Sequence, residues 1–550
     1  MNFFREDPNL SFILKQYLEP DMLDWATREL DSYGELCGTE IDQRAVHTDR
    51  EGQPRLIKYD QMGNDISHVW LNEGYKKTVE QTYNSGIVGL LYKEIPALKQ
   101  RGNYIYSYAQ GYLLSQAEPG FYCPVTLTMA TAYLLDQYAD QALKEKYLPH
   151  VTSMGEVELY EGATFLTERQ GGSDVGANDT KAVRSGDNYR LYGEKYFASN
   201  GGACGVAMVL ARMEGAGPGT RGLSLFLVPW RKADGTLNHL QIRRVKDKLG
   251  VRAVPSVEVV LEGSEAYLVG DASKGFYYMM EALNLSRVCN AVASVGIMRR
   301  AYIEARNYAF KRDAFGRKLA DFPMVKETLS VMSARQEVET GAIFSIIPLF
   351  ERVMRGEVEV SQEEMALNRL LIALLKMRTA EAAIEFSHQA IEMHGGNGYI
   401  EDFVTPRLLR DAQVLTVWEG TANILGLEVL RLIHKFNVHQ SFLAQVQAEL
   451  AKCKPELEHS RKYIDQGIGE LIELLTYLAE QNEDAQTYHS KRVAHLMSDI
   501  YTSTIALRDA NQGDARKEKI ARLHLEHTWN KQHRDEEMLP LAYFAEVVGS

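Results

Sequence analysis

The residue from which chemistry can begin is a carboxylate next to a glycine. Glu419 lies in Trp418-Glu-Gly-Thr421, downstream of His394-Gly-Gly-Asn-Gly-Tyr399 and Arg410-Asp411. On a tight segment between helices such a carboxylate can be desolvated and aimed at a substrate carbon as a general base. A lone Glu-Gly is a common loop, so the case for position 419 rests on the motifs around it. Thr167-Glu-Arg-Gln-Gly-Gly-Ser-Asp174 sets two glycines among hydroxyls and amides, which lets the backbone approach a large planar or phosphate-bearing ligand. Gly-Gly-Ser-Asp alone reads as a glycine loop between strands. Tyr196-Phe-Ala-Ser-Asn-Gly-Gly202 offers a ring to cover a flavin and a hydroxyl to reach its polar edge, or simply a strand and its turn. In Arg312-Asp-Ala-Phe-Gly316 the guanidinium could pair with a pyrophosphate while the phenyl packs on an adenine. The plainer reading is a helix C-terminus capped by Gly316.

These motifs need elements to position them. Residues 1 to about 155 read mainly as helix, and Leu127 to Leu148 has apolar residues at helical spacing, predicting a helix that stops at Pro149. From 156 to 275 the period changes to that of strands. Val257, Val259 and Leu261 alternate with Ser256, Glu258 and Glu262, and Leu223 to Val228 is a buried-strand run before Pro229. Gly215 to Gly219 reads as a turn, since no Lys-Ser/Thr follows it as in a phosphate loop. Residues 276 to 438 return to helix, with Leu367, Leu370, Leu371, Leu374 and Leu375 forming one apolar face. Residues 439 to 550 are further helix. The expected domains are therefore 1–155, helical; 156–275, β; 276–438, helical; and 439–550, an additional helical block. The fold class is α+β, mainly α.

Bulk properties bound the function. A 550-residue chain is too long for one core. A formal net charge of −13 argues against DNA as a partner, because neutralising phosphates takes a surplus of lysine and arginine. Five scattered cysteines, none in a zinc spacing, fit a reducing compartment. The first residues resemble neither a signal nor a transit peptide, and apolar stretches such as Gly341 to Phe350 are far shorter than a membrane span. The expected location is cytoplasmic. His524-Leu-Glu-His527 with His533 could suggest a metal, but no compatible acidic or cysteine set accompanies it, and it reads as the polar face of a terminal helix.

In order and spacing, from about residue 85 to 438, the motifs resemble the acyl-CoA dehydrogenase superfamily. Lys144 to Pro149 and Lys248-Leu-Gly-Val-Arg252 match two further landmarks of that pattern. The resemblance implies an N-terminal α domain, a middle β domain and a C-terminal four-helix bundle, with FAD held without a Rossmann GxGxxG. It implies that Thr167 and Ser199 contact the flavin, that Phe197 covers its ring, and that Thr421 belongs to the same cofactor set. Ser173 would touch both cofactor and thioester. Arg312 and Phe315, with Gly395 and Gly396, would contact the FAD of a neighbouring subunit, making a homo-oligomer, by family default a tetramer, part of cofactor binding. Glu419 would remove the α proton while its backbone N–H polarises the thioester carbonyl. Gly420 would line the acyl-CoA site. Some relatives place the base on the helix that here carries Ser286-Arg287; Ser286 cannot serve, so Glu419 stands alone and Arg287 would tune it.

The early segment, with Arg55-Leu-Ile-Lys-Tyr-Asp60 and Cys123-Pro-Val-Thr-Leu-Thr128, resembles the alkylation-response (AidB-type) branch. So do Trp418 before the glutamate and Pro323, where many dehydrogenases carry Gln to help hold FAD across the dimer. That branch is known for DNA binding through a basic C-terminal region. Here residues 441–550 hold 13 lysines and arginines against 18 aspartates and glutamates, so the charge for that role is not evident. The expectation is an acyl-CoA dehydrogenase acting on medium to long chains, with an electron-transferring flavoprotein as acceptor. The alternatives are a DNA-associated flavoprotein and a non-catalytic acyl-binding protein of the same fold.

Overall fold

Several helices in this chain start where a side chain accepts the first free N–H groups, as Asp7, Asn72, Asn103, Glu118, Asp140, Ser361, Asn482 and Asp514 do. The computed structural model describes residues 1–356, 359–530 and 537–549. In chain order the N-terminal helices are α1 (Pro8–Tyr17), α2 (Pro20–Leu36), α3 (Asp42–Arg50), α4 (Glu73–Asn84), α5 (Tyr104–Ala117), α6 (Pro119–Tyr138) and α7 (Gln141–Val151). Two small hairpins interrupt them, β1 (Arg55–Tyr59) with β2 (Asp65–Trp70), and β3 (Glu94–Ile95) with β4 (Gln100–Arg101). Strands β5 (Gly162–Phe165), β6 (Lys181–Ser185), β7 (Asn188–Ser199), β8 (Val206–Met213), β9 (Leu223–Pro229), β10 (Leu240–Val245) and β11 (Ser256–Leu268) follow. Then come α8 (Gly275–Lys311), the hairpin β12 (Asp313–Ala314) and β13 (Arg317–Lys318), α9 (Pro323–Arg355), α10 (Gln362–His394), α11 (Thr405–Leu415) and α12 (Ala422–Phe436). The last block is α13 (Val438–Leu450), α14 (Glu458–Ala479), α15 (Glu483–Gln512), α16 (Ala515–Trp529), α17 (Leu539–Ala542) and α18 (Phe544–Val547). This is the mainly helical architecture with a middle β domain that the motifs predict.

The chain divides into two compact units, Met1–Glu6 with Glu19–Cys289, and Asp7–Leu18 with Asn290–Ser550. In the first unit β5 to β11 form one seven-stranded sheet. Strand β7 pairs with β6 and β11, β8 with β6 and β9, and β9 with β11, so five strands close a ring. Phe165, Leu191, Phe226, Trp230, Val257, Val259 and Leu261 fill its core. The alternation read along β11 is real, but Glu258 is buried rather than solvated, beneath Lys246 at 2.8 Å. The helix expected over Leu127 to Leu148 is instead two helices. The break falls at Asp140, whose carboxylate caps the Leu143 N–H at 2.9 Å, and Pro149 sits inside α7. There it removes the i→i−4 bond to the carbonyl of Glu145, an exposed residue that water can reach.

In the second unit α9 is the organising helix. It packs against α10, α15 and α16, and also against α1 and the short α17 and α18. Glu337 of α9, fully buried, accepts from Arg516 at 2.9 Å and Lys517 at 2.8 Å, and Lys517 also donates to Asn9 of α1. Burial alone would raise this carboxyl, but Lys517 and Arg516 more than offset it and hold it at about 2. Between α12 and α13 stands a single residue, Asn437, in the left-handed region (φ +50°). His524, expected on a polar helix face, is fully buried on α16 instead. Burial lowers it well below its ordinary value and brings His527 to about 4, so both are neutral at ordinary pH. His533 lies outside the described residues. Among the described residues no group of three or more His, Cys, Asp or Glu could hold a metal, and no helix is long and apolar enough to cross a membrane.

Candidate active site

In the first unit the Thr167 loop and the end of β7 lie side by side, because the Tyr196 N–H donates to the Thr167 carbonyl at 2.9 Å. This brings Thr167, Phe197 and Ser199 together. Thr167 and Ser199 are half-buried, and Phe197 is exposed for a large apolar side chain. Ser173 lies farther along the loop and is exposed. A Cβ added at Gly171 would meet nothing, and φ there is +120°, so the backbone at that point faces open space. A residue that the motif reading missed holds this loop. Lys195 of β7 has 0% of its surface exposed; its ammonium donates to Glu168 at 2.7 Å and to the Leu210 carbonyl at 2.9 Å. Glu168 also accepts from the Thr180 hydroxyl at 2.5 Å and the Asp179 N–H at 2.7 Å. Burial opposes the charge on Glu168, yet Lys195 and these donors keep its carboxyl below the usual range. Arg287 is buried on α8, where it donates to Asn284 at 3.0 Å.

The second unit carries Glu419. Helix α11 ends at Leu415, and Val417 and Trp418 close its last turn on the Val414 carbonyl at 2.8 and 2.9 Å. Two consecutive residues then take positive φ, Glu419 at +54° and Gly420 at +105°. A left-handed glutamate is uncommon and costs on the order of 1 kcal/mol, so its surroundings must hold it. Thr421 is the exposed N-cap of α12. The Glu419 carboxylate, half-buried, accepts from the side-chain amide of Asn290 of α8 at 2.7 Å; the same amide donates to the Leu415 carbonyl at 3.2 Å. Lys376 of α10, 1% exposed, donates to the Gly420 carbonyl at 2.8 Å. Neither Asn290 nor Lys376 was among the expected site residues. The one available signal was a lysine inside the apolar run Leu370 to Met377.

Arg312 to Gly316 is a β-hairpin and not a helix cap. Helix α8 stops at Lys311, and Phe315 and Gly316, at φ +51° and +80°, form the two-residue turn between β12 and β13. That turn geometry needs positive φ at both positions, which suits Gly316 and strains Phe315. The phenyl is 97% exposed. The glycine turn after α10 comes to the same end of α8. Tyr308, whose carbonyl accepts from the Arg312 N–H at 2.9 Å, takes a hydrogen bond from Asn397 at 3.1 Å and packs its ring 4.2 Å from that of His394. At Gly395 and Gly396 an added Cβ would meet nothing, and Tyr399 is 83% exposed. Open glycine backbone, a guanidinium and unburied rings at one corner form a donor set suited to a nucleotide with a pyrophosphate. The half-buried hydroxyls and exposed ring of the other unit suit a flat polar-edged ring system. The residues present therefore fit FAD.

Comparison with known proteins agrees with this geometry. Residues 273–434 match the family model for the acyl-CoA dehydrogenase C-terminal domain, 163–264 the acyl-CoA dehydrogenase middle domain, and 1–155 the N-terminal domain of the adaptive response protein AidB. Acyl-CoA dehydrogenase family member 11 of Caenorhabditis elegans is 32% identical over 531 residues, covering 93% of this chain and 84% of that protein. The putative acyl-CoA dehydrogenase AidB of Escherichia coli is 29% identical over 466 residues, 83% of this chain and 82% of that one. The crystal structure of Caenorhabditis elegans ACDH-11 in complex with C11-CoA superposes with a TM-score of 0.89 at 28% identity, covering 100% of this chain and 95% of that one. A middle β domain and helical C-terminal domain of one family, joined to an AidB-type N-terminal domain, make this chain an FAD-dependent oxidoreductase of the acyl-CoA dehydrogenase family, on its AidB-like branch.

Proposed function

We propose that the protein oxidises a saturated acyl-CoA between Cα and Cβ, with Glu419 as the base. The observation that carries this reading is the Glu419 carboxylate, held on a left-handed turn by an amide donor and left half-exposed. The thioester α proton is weakly acidic, so its removal needs both a positioned carboxylate and a polarised carbonyl. Glu419 takes the α proton; its backbone N–H hydrogen-bonds the thioester oxygen, and Gly420 leaves room for the acyl-CoA beside it. The chemistry that FAD would supply here is a hydride acceptor for the β hydrogen, which gives a trans-2-enoyl-CoA. Arg287, three residues before Asn290 and so on the same face of α8, tunes the ionisation of the base.

Thr167, Ser199 and Thr421 hydrogen-bond the cofactor in this proposal, Phe197 covers its ring, and Ser173 reaches both cofactor and substrate. Arg312, Phe315, Gly395 and Gly396 serve the cofactor of a neighbouring subunit, which makes the working form an oligomer, with a tetramer favoured. The acyl chain is medium to long, in keeping with the C11-CoA bound by the Caenorhabditis elegans relative. An electron-transferring flavoprotein receives the electrons.

Anaerobic addition of saturated acyl-CoAs of increasing length should bleach the flavin absorbance for one chain-length class, and Glu419→Gln should slow that bleaching by about a hundredfold or more. A flavin that no acyl-CoA reduces would overturn dehydrogenation. Salt-dependent binding to duplex DNA, or tight acyl-CoA binding without reduction, would then separate the two other readings.

A further inference from the structure

Two buried side chains, Asn290 and Lys376, meet the turn that carries Glu419. Asn290 offers one amide nitrogen to two acceptors, Glu419 Oε2 at 2.7 Å and the Leu415 carbonyl at 3.2 Å. Because both partners only accept, the amide can be oriented only with its nitrogen toward them. It ties the last turn of α11 to the carboxylate. Lys376 arrives from α10 through an apolar run and places its ammonium on the Gly420 carbonyl, one peptide beyond the base. Between them, the two residues with positive φ are fixed from both sides.

We propose that Asn290 and Lys376 are positioning residues for Glu419, Asn290 aiming and holding the ionised carboxylate and Lys376 locking the turn that carries it. The proposal rests on the reading of Glu419 as base. A donor to the ionised form favours that form, and a fixed turn keeps the carboxylate within reach of one carbon. The other charged groups on the elements around the turn have partners of their own. Arg410 of α11 pairs with Glu401 at 2.9 Å, and Glu428 of α12 with Arg369 of α10 at 2.7 Å and with Arg431. Arg407 and Asp411 are buried on α11; on α8, Arg299 pairs with Asp7 at 3.5 Å and Arg300 with Glu304 at 2.7 Å. Arg378 of α10 turns to Asp499 at 3.0 Å.

The test uses the FAD-loaded full chain and octanoyl-CoA in deuterated buffer without oxygen. Deuterium entering the α carbon, followed by mass spectrometry across pH, reads proton removal separately from flavin reduction. The exchange rate should rise with pH as the base ionises. In Asn290→Asp, which keeps the shape but sets an acceptor against two acceptors, that rise should move about one pH unit or more to higher pH. Asn290→Ala should move it the same way by less. Lys376→Met should slow exchange about tenfold or more at every pH with KM changed less than about threefold, and Lys376→Arg should recover most of the loss. Flavin content and thermal melting at wild-type values confirm that each variant is folded. If Lys376→Met fails that check, the Asn290 profiles remain decisive. An unmoved profile in both Asn290 variants, or wild-type exchange in Lys376→Met, overturns the clamp. A wild-type protein that exchanges no α hydrogen overturns the base itself, and the clamp with it.

Discussion

Lys195 in the first unit and Lys376 in the second are both buried lysines sent from a regular element to hold an irregular one, but they end on different partners. Lys195 meets the carboxylate of Glu168, which Thr180 and Asp179 also satisfy, so the loop is held by a closed network of charge. Lys376 meets a backbone carbonyl. Removing Lys195 leaves a buried charge without its counterion, whereas removing Lys376 takes a donor from a neutral carbonyl. The first loss is a matter of stability and the second of geometry. The Thr167 loop is thus secured by an arrangement that fails as a whole, and the Glu419 turn by one that can fail locally.

The largest expected effect lies at the turn itself. Glu419→Gln should slow flavin reduction by about 10²- to 10⁴-fold, with melting temperature near wild type, as stopped-flow bleaching and calorimetry would show. Lys195→Met should cost about 3–5 kcal/mol of stability by stranding Glu168, and Lys195→Met/Glu168→Gln should recover part of it. A denaturant double-mutant cycle checks this, and additive losses would break the contrast drawn between the two lysines.

A second buried ion pair, Glu337 with Lys517 and Arg516, sharpens the comparison. Glu337 is held at about 2, below its ordinary 4.5. Its carboxyl is depressed in the folded state, so its contribution is fully present above about pH 4.5 and is lost as pH falls toward 2. Acid unfolding followed by circular dichroism should show that loss, and Glu337→Gln should flatten the dependence in that window. The smallest effect belongs to Phe315→Ala. Stability of the protomer should change by less than about 0.5 kcal/mol, since the ring is exposed, while flavin retention during gel filtration should fall. Unchanged retention would remove Phe315 from the cofactor site.

Much of the fold was legible because it is written in periods. The strands around Val257 and Leu223 and the leucine face of α10 follow from alternation and from 3.6-residue spacing. The motif residues were legible as candidates, and Thr167 and Ser199 do lie on neighbouring segments. Three other features were not. Lys195, Lys376 and Asn290 act through partners distant in sequence, and a single polar residue in an apolar run looks like an interruption until its acceptor is seen. The Phe315-Gly316 hairpin was hidden because a terminal glycine signals a helix cap more often than a two-residue turn. His524 sits on a helix whose outward and inward faces a short charged sequence does not distinguish, and tertiary packing decides its burial.

The arrangement around α9 bears on how this protein is made. Asn9 and Lys517 are hydrogen-bonded although 508 positions apart in sequence, and the Ser333 hydroxyl of α9 closes on the Val547 carbonyl at 3.2 Å. During synthesis α9 leaves the ribosome nearly two hundred residues before Val547 does, an interval of about 10–40 seconds at ordinary elongation rates. Until then its buried glutamates and apolar face lack part of their cover, the helices α15 to α18. The strand-rich unit can complete itself earlier, since its residues are all translated by Cys289. The oxidoreductase is therefore expected to emerge with one half folded and the other waiting, and chaperone dependence should concentrate in the second half.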